Sequence, residues 1–339
     1  MAARAVVGAS VRLRGRRALP RNDRGESLDP YVAAVVRAAA RLPPLERQTT
    51  ARARAGMDAN TALTDVAFEP MAHVVDRTID GPHGAIATRV YVPVEAPRPL
   101  PLLVYLHGGG FVIGSLASHD RVVRRLAARS RAIVVAVDYR LSPEHRFPVP
   151  FEDALAATKW VLASARRLGG DPERVAIGGD SAGGNLSAAV CLALRDERRR
   201  DPSVPVPRLQ LLVYPATDLR RQSASHRLLG EGYLLSHELI EWFMARYLRS
   251  KADELDPRGS PLLAADHRDL PPAWITIAGF DPLRDEGEAY AAKLRESGVP
   301  TELVYEPGMI HGFFTMGGVV PRAAEIVDAA ARAITRAIG

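Results

Sequence analysis

The chain has 339 residues, a formal net charge of +6 and a hydrophobic content of 47%. This hydrophobic content can fill a large core, which argues against disorder as the main state of the chain. Seven arginines lie in residues 1–27, so the positive charge belongs mainly to the N-terminus and does not predict a nucleic-acid-binding face.

Residues 1–27 are basic, and their longest apolar stretch, AVVGASV, is interrupted by small and polar residues. A secretory signal needs a more sustained apolar segment, so it is disfavoured here. A transit peptide or a basic arm stays open, and we expect a disordered, functionally silent tail. No apolar run in the chain is long enough to span a bilayer, so we expect no membrane insertion.

Residues 28–65 are expected to form N-terminal cap helices. Residues 28–48, SLDPYVAAVVRAAARLPPLER, begin with a Ser/Asp capping signal and continue as an amphipathic helix to the Pro-Pro pair, where the helix should end. Residues 49–65 are weakly patterned and could be helical or a loop. Two strands follow, HVVDRTI and IATRVYVP, joined by the turn-forming stretch DGPHG.

From about residue 101 onward, apolar runs typical of buried strands alternate with helical segments. This alternation predicts an α/β fold, with a mostly parallel sheet covered by helices on both faces. We assign residues 66–218 and 263–339 to this α/β domain. Residues 219–262 interrupt it with YLLSHELIEWFMARYL, which predicts a helical cap insertion over the carboxyl edge of the sheet.

The stretch GDSAG, residues 179–183, follows the predicted strand RVAI and precedes a predicted helix. G-x-S-x-G at such a junction is typical of a nucleophile elbow, with Ser181 exposed on a strained turn. The glycines leave room for that turn, and the helix N-terminus favours developing negative charge. A plain glycine-rich turn and a phosphate-binding loop are the alternatives, although neither the dinucleotide nor the P-loop pattern fits.

The stretch HGGGF, residues 107–111, follows the predicted strand LLVYL. A glycine-rich loop exposes backbone N–H groups, which can stabilise a tetrahedral oxyanion. We expect Gly108, Gly109 and Ala182 to supply these donors, and His107 to anchor the loop through a hydrogen bond. An ordinary flexible loop is the alternative.

An acid and a histidine follow two further strands. Asp281 comes after AWITIAGF, and His311 comes after TELVYEPGMI. With Ser181 they could act as nucleophile, base and orienting acid, in a chain order that suits this chemistry. Asp285 competes for the role of the acid, but we expect it to cap the next helix.

The remaining histidines and the single cysteine are expected to be structural. No acid stands at a suggestive spacing from His73, His83, His119, His145, His226, His237 or His267. Cys191 lies in AAVCLAL, which predicts a small buried hydrophobe and not a nucleophile. No cluster of His, Cys and Asp predicts a metal site.

Five motifs occur in the order HGGGF, DYRLSPEHRFP, GDSAGGNL, DPLRDEG and HGFF. In these motifs the chain resembles the bacterial hormone-sensitive-lipase-like (family IV) esterases, an α/β-hydrolase group, from about residue 28 to the end. The resemblance implies an α/β-hydrolase fold, an eight-stranded sheet with a helical cap, and hydrolysis of short- to medium-chain carboxylic esters without a cofactor. It also implies Ser181 as nucleophile, Asp281 as acid and His311 as base, with an oxyanion hole of Gly108, Gly109 and Ala182.

Two other functions stay open: a small-molecule binding or sensing protein on an inactive scaffold, and a hydrolase of amides, lactones or long-chain lipids. The candidate pocket residues, for which packing is the alternative, are Phe111, Asp180, Tyr233, Trp242 and Phe243. We expect TELVYEP to be a sheet edge able to pair across a homodimer. A single cysteine fits a cytoplasmic location.

Overall fold

The fold is built on one eight-stranded β-sheet. The computed structural model describes residues 19–94 and 99–339, so most of the basic N-terminal segment lies outside the described residues. The strands are β1 (Met71–Ile79), β2 (Ile86–Pro93), β3 (Leu100–Leu106), β4 (Ile133–Asp138), β5 (Gly170–Asp180), β6 (Gln210–Val213), β7 (Ala273–Phe280) and β8 (Thr301–Ile310). Their order across the sheet is β1-β2-β4-β3-β5-β6-β7-β8.

Strand direction divides the sheet into two parts. β2 runs antiparallel to both β1 and β4, whereas all pairings from β4 through β3 to β8 are parallel. The carboxyl ends of β3, β5, β7 and β8 therefore meet at one edge of the sheet, where sites form in this class of fold. The predicted mostly parallel, eight-stranded sheet is confirmed.

Helices cover both faces of the sheet. They are α1 (Pro30–Ala39), α2 (Thr50–Thr64), α3 (Asp120–Ser130), α4 (Val149–Ser164), α5 (Ala182–Arg200), α6 (Ala224–Leu229), α7 (His237–Tyr247), α8 (Arg284–Glu296) and α9 (Pro321–Ile338). Helices α4, α5 and α8 pack into the apolar cluster on one face, and α1, α3 and α9 pack into the cluster on the other. No helix within the described ranges is long and apolar enough to cross a membrane.

Strand β3 shows why an apolar core forms on both faces of the sheet. Every residue of its sequence LPLLVYL is buried. Leu102 and Val104 enter one apolar cluster, whereas Leu103 and Tyr105 enter the other. Because successive side chains of a strand point to opposite faces, an uninterrupted apolar run suits a strand that is covered on both.

Two segments lie against the loop that follows β3. Residues 219–262 contain α6, α7 and the 3₁₀ turn Lys251–Leu255, and a second 3₁₀ turn, Pro261–Leu263, begins at their end. Tyr247 of α7 stacks on Phe111, with ring centroids 3.8 Å apart. From the N-terminal segment, the Arg54 guanidinium on α2 donates to the carbonyl of Val112 at 2.9 Å. The insertion and the N-terminal helices therefore both contact the carboxyl edge of the sheet.

The expectation of a disordered tail is wrong for residues 19–27, which contact the end of β7 and the start of α8. The Asn22 amide donates to the carbonyl of Gly279 at 3.0 Å. Arg24 forms a bidentate pair with Glu288, with both N···O distances at 2.7 Å. Residues 19–27 are ordered because their polar and charged side chains bond residues more than 250 positions further along the chain.

Candidate active site

Ser181 stands on a strained turn between β5 and α5. Its backbone has φ +55° and ψ −116°, a conformation that is costly for a residue with a side chain. Gly179 and Gly183 both approach the carbonyl of Leu106 so closely that a Cβ at either position would collide with it. The Ser181 N–H donates to the carbonyl of Val213 at 2.8 Å, which ties the turn to β6.

The structure brings Ser181, His311 and Asp281 together. His311 Nε2 lies 2.8 Å from Ser181 Oγ, and His311 Nδ1 lies 2.8 Å from Asp281 Oδ2. The second oxygen of Asp281 accepts the N–H of Leu283 at 2.8 Å, and the Asp281 carboxylate is fully buried. This carboxylate therefore holds the imidazole with Nδ1 protonated and Nε2 facing the serine.

Asp285, the competing acid, faces away from this arrangement. Its carboxylate accepts the N–H of Ser225 at 2.8 Å and the Nε–H of Arg284 at 2.9 Å. These contacts hold the first turn of α8 against α6. Asp281, and not Asp285, is the acid bonded to His311.

Tyr214, which the sequence did not single out, packs on the imidazole of His311. The two ring centroids are 4.6 Å apart, with an interplanar angle of 51°. Tyr214 directly follows β6, and its N–H donates to the carbonyl of Thr276 at 2.6 Å. Its place at the end of a central strand was the signal that could have identified it.

The glycine loop offers a different set of N–H donors from the one predicted. The N–H of Gly108 donates to the carboxylate of Asp180 at 3.0 Å, so the prediction that Gly108 is an oxyanion donor is wrong. Within the described residues, the N–H groups of Gly109 and Gly110 have no acceptor. The N–H of Ala182, the first residue of α5, has no acceptor within its helix. The donors left for an oxyanion are those of Gly109, Gly110 and Ala182.

Comparison with known proteins agrees with this geometry. Residues 103–315 match the family model described as alpha/beta hydrolase fold. The chain belongs to the α/β-hydrolase family. This hydrolase is 47% identical to the carboxylic ester hydrolase LipN of Mycobacterium tuberculosis over 264 residues, which cover 76% of this chain and 70% of the relative.

Two further relatives extend over most of the hydrolase. The ethyl acetate hydrolase of Pseudomonas putida is 37% identical over 308 residues, or 88% of this chain and 96% of the relative. The solved structure of ester-hydrolase EH1AB1, from the metagenome of Lake Arreo, superposes with a TM-score of 0.86 at 42% identity. That match covers 91% of this chain and 98% of the other. The resemblance to hormone-sensitive-lipase-like esterases is thereby confirmed.

Two of the candidate pocket residues lie beside the site of the hydrolase. Phe243 of α7 packs on Gly110, where an added Cβ would fall within 2.6 Å of its ring atoms. Tyr233 lies edge-on to Phe280, the residue before Asp281, with ring centroids 5.0 Å apart. These two aromatic rings flank the glycine loop and the acid loop.

The other three candidates have different surroundings. Phe111 is buried in its stack on Tyr247. Trp242 packs within the cap, with the guanidinium of Arg246 at 3.8 Å from its ring centroid. Asp180 is buried beneath the glycine loop, so the prediction that its side chain lines the pocket is wrong.

Three of the histidines without an acid at a suggestive sequence spacing contact an acid in the fold. His83 contacts Glu152 at 2.5 Å, His119 contacts Asp180 at 3.2 Å, and His226 contacts Glu286 at 2.8 Å. Sequence spacing could not indicate these partners, because each lies on an element distant in sequence. The His226–Glu286 contact joins α6 to α8, and burial raises the pKa of Glu286.

His107 and Cys191 are structural, as predicted. His107 Nδ1–H donates to the carbonyl of Gly108 at 2.8 Å, so this side chain anchors the loop. Burial lowers the pKa of His107 to about 4, and the imidazole stays neutral. Cys191 is buried on α5, and burial raises the pKa of its thiol, which disfavours the nucleophilic thiolate.

Proposed function

We propose that the protein is a carboxylic ester hydrolase in which Ser181 forms an acyl-enzyme. The observation that carries the proposal is the chain of two 2.8 Å contacts from Ser181 Oγ through His311 to Asp281. The esterase names of the relatives support the same reaction class.

In this reaction Ser181 Oγ attacks the ester carbonyl carbon while His311 Nε2 accepts the hydroxyl proton. Asp281 stays ionised, and its contact with Nδ1–H stabilises the imidazolium. When the tetrahedral intermediate collapses, His311 returns the proton to the departing alcohol. In the second half, His311 accepts a proton from water while the water oxygen attacks the acyl carbon. His311 then returns the proton to Ser181 Oγ as the acyl–oxygen bond breaks, which releases the carboxylic acid.

The oxyanion of the tetrahedral intermediate would be bound by the N–H groups of Gly109, Gly110 and Ala182. None of these donors has to give up another acceptor among the described residues. In acyl-transfer enzymes one such donor contributes about 3 kcal/mol of transition-state stabilisation. The positive N-terminus of α5 adds to the same effect.

The direct test is hydrolysis of p-nitrophenyl butyrate by the wild type, Ser181→Ala and Ser187→Ala. Ser187 is a buried serine of the same helix, and its hydroxyl donates to the carbonyl of Gly183 at 2.7 Å. We expect Ser181→Ala to lose turnover and Ser187→Ala to keep it. Equal rates for the wild type and Ser181→Ala would refute the proposal, and binding without turnover in the wild type would favour a sensing protein.

For the substrate, we propose short- to medium-chain carboxylic esters. Phe243 lies against Gly110 and limits the space above the glycine loop. A panel of p-nitrophenyl esters from acetate to palmitate, with an anilide and a lactone, tests this range. Preference for the palmitate, the anilide or the lactone would replace this proposal with the corresponding lipid, amide or lactone substrate.

We also propose a homodimer formed through β8 and a cytoplasmic location. β8 is the last strand of the sheet, so one side of it has no partner strand within the described residues. Sedimentation equilibrium should give twice the 36.7 kDa chain mass, and a monomer at all concentrations would refute the dimer. The single cysteine, which allows no intramolecular disulfide, supports the location, which cell fractionation would test.

A further inference from the structure

The carboxylate of Asp180 lies directly under the glycine loop. It accepts the Tyr105 hydroxyl at 2.8 Å and the Gly108 N–H at 3.0 Å, and it lies 3.2 Å from His119 Nε2. The Asp180 residue is only 4% exposed, so these contacts replace water. A buried carboxylate with this number of partners is a fixed part of the site.

The approach of this carboxylate explains why residue 108 is a glycine. A Cβ at position 108 would collide with the Asp180 carboxylate. The Gly108 carbonyl is held as well, because His107 Nδ1–H donates to it at 2.8 Å and the His107 ring stacks on Tyr139. The peptide units on both sides of Gly108 are therefore held by hydrogen bonds. This support also sets the positions of the next two N–H groups, those of Gly109 and Gly110.

The hydrogen bonds around His119 favour its protonated form. Its Nδ1 lies 2.9 Å from Ser118 Oγ, whose own proton is donated to the carbonyl of Ser115. With the Ser118 hydroxyl donating to Ser115, Nδ1–H donates to Ser118 Oγ, and Nε2 lies 3.2 Å from the Asp180 carboxylate. Two ring donors exist only in the imidazolium form, and the Asp180 carboxylate outweighs burial and raises the pKa of His119, so both observations support a buried ion pair with His119 as the cation.

The pair has a consequence for the oxyanion. The Asp180 carboxylate accepts the N–H of Gly108, the residue before the Gly109 donor, so its negative charge lies close to the proposed oxyanion donors. An uncompensated carboxylate there would oppose the oxyanion, and more strongly in a buried site than in water. The imidazolium of His119 compensates for that charge. Three other ionisable groups face His119: the rings of His107 and Tyr105, with centroids 5.5 and 6.2 Å from its own, and the nearby Asp65.

We propose that Asp180 and His119 are a positioning pair for the oxyanion loop, a role that rests on the proposed ester hydrolysis. Asp180 holds the Gly108 N–H and so orients the donors of Gly109 and Gly110. His119 cancels the charge of Asp180, so that the loop is fixed without an anion repelling the oxyanion. Neither residue touches the reacting atoms.

Tyr105→Phe tests the first part, because it removes only the hydroxyl that donates to Asp180. Tyr290→Phe is the matched control: Tyr290 is equally buried, and its hydroxyl has no partner within the described residues. We expect Tyr105→Phe to lower kcat about tenfold with little change in KM, because loss of a whole oxyanion donor costs about 10²-fold and this variant only loosens the support of the donors. Binding of a trifluoromethyl ketone, whose adduct carries the oxyanion, should weaken in parallel, and Tyr290→Phe should change neither quantity.

His119→Gln and the double variant His119→Gln/Asp180→Asn test the charge. We expect His119→Gln to lower kcat about 10²-fold, and the double variant to regain part of that loss because both charges are gone. Independent structural damage would instead make the double variant worse than His119→Gln. That result, or unchanged kcat and ketone binding in Tyr105→Phe, would overturn the proposal. Absence of hydrolysis in the wild type would overturn the ester hydrolase itself.

Discussion

The carboxylate of Asp23 forms a bidentate ion pair with the guanidinium of Arg284, with N···O distances of 2.6 and 2.9 Å. The Arg284 residue is only 2% exposed, and it begins α8, three residues after Asp281. Its guanidinium also bonds Asp285 at 2.9 Å. Residues near the N-terminus are thus bonded to the segment that carries the acid of the site.

We expect Asp23→Ala to lower the free energy of unfolding by about 2 kcal/mol, because it removes two charge-assisted bonds from a buried guanidinium. Urea denaturation measures this change. Asp328→Ala is the matched control, since Asp328 forms a bidentate pair with Arg125, whose side chain is 15% exposed. Asp328→Ala should lower the free energy of unfolding by less than Asp23→Ala. Equal decreases in the two variants would contradict the role assigned to the burial of Arg284.

Asp281→Asn should lower kcat about 10⁴-fold, because an amide cannot hold His311 in the required tautomer. Asp285→Asn should retain most of the activity, since Asp285 bonds Ser225 and Arg284 and not His311. Steady-state kinetics on both variants, with circular dichroism as the check on folding, compares them. A larger loss in Asp285→Asn would reverse the assignment of the acid.

Phe243→Ala should shift the acyl-chain preference towards longer chains, because the ring that packs on Gly110 is removed. The measured quantity is the ratio of kcat/KM for p-nitrophenyl octanoate to that for the acetate. Leu239→Ala, on the same helix, controls for general loosening of α7 and should leave the ratio unchanged. An unchanged ratio in Phe243→Ala would show that Phe243 does not set the acyl-chain limit.

The contribution of the buried pair to stability should depend on pH. Burial alone would lower the pKa of His119, but the Asp180 carboxylate outweighs burial and raises it above 6.5. Burial alone would raise the pKa of Asp180, but His119 and Tyr105 outweigh it and hold that pKa below 3.8. The stabilisation is therefore complete between pH 3.8 and 6.5 and is lost as the pH rises through the pKa of His119 or falls through that of Asp180.

The free energy of unfolding of wild type minus His119→Gln should thus be largest near about pH 5 and should decline in alkaline solution. Urea denaturation across the pH range gives this difference. Asp65 also attracts His119, and burial raises the pKa of Asp65 to about 7, so the comparison is repeated with Asp65→Asn in both proteins. A difference that stays constant from acid to alkaline pH would contradict an ion pair.

The positions of Ser181, Asp281 and His311 could be predicted because each follows an apolar strand. Parallel strands bring their carboxyl ends to one edge, so local sequence patterns were enough to place these three residues together. The same argument predicted the glycine loop and the helices on both faces. Predicting these features required only that the strands be parallel neighbours, and not the exact order of the strands in the sheet.

The partners of Asp180 could not be predicted, because they come from elements far apart in sequence. Gly108 is 72 positions away and His119 is 61 positions away. No spacing rule relates such residues, and the motif therefore suggested Gly108 as an oxyanion donor when its N–H already has an acceptor. Residues 19–27 were misassigned for the same reason, since the partners of their charges lie in α8.

Labelling with a fluorophosphonate tests the central claim most directly, because only an activated serine reacts rapidly. The labelled protein is digested, and the modified peptide is identified by mass spectrometry. We predict one adduct per chain, on Ser181, formed far more slowly in His311→Ala. An adduct on another residue, or equal labelling rates in the wild type and His311→Ala, would contradict the account.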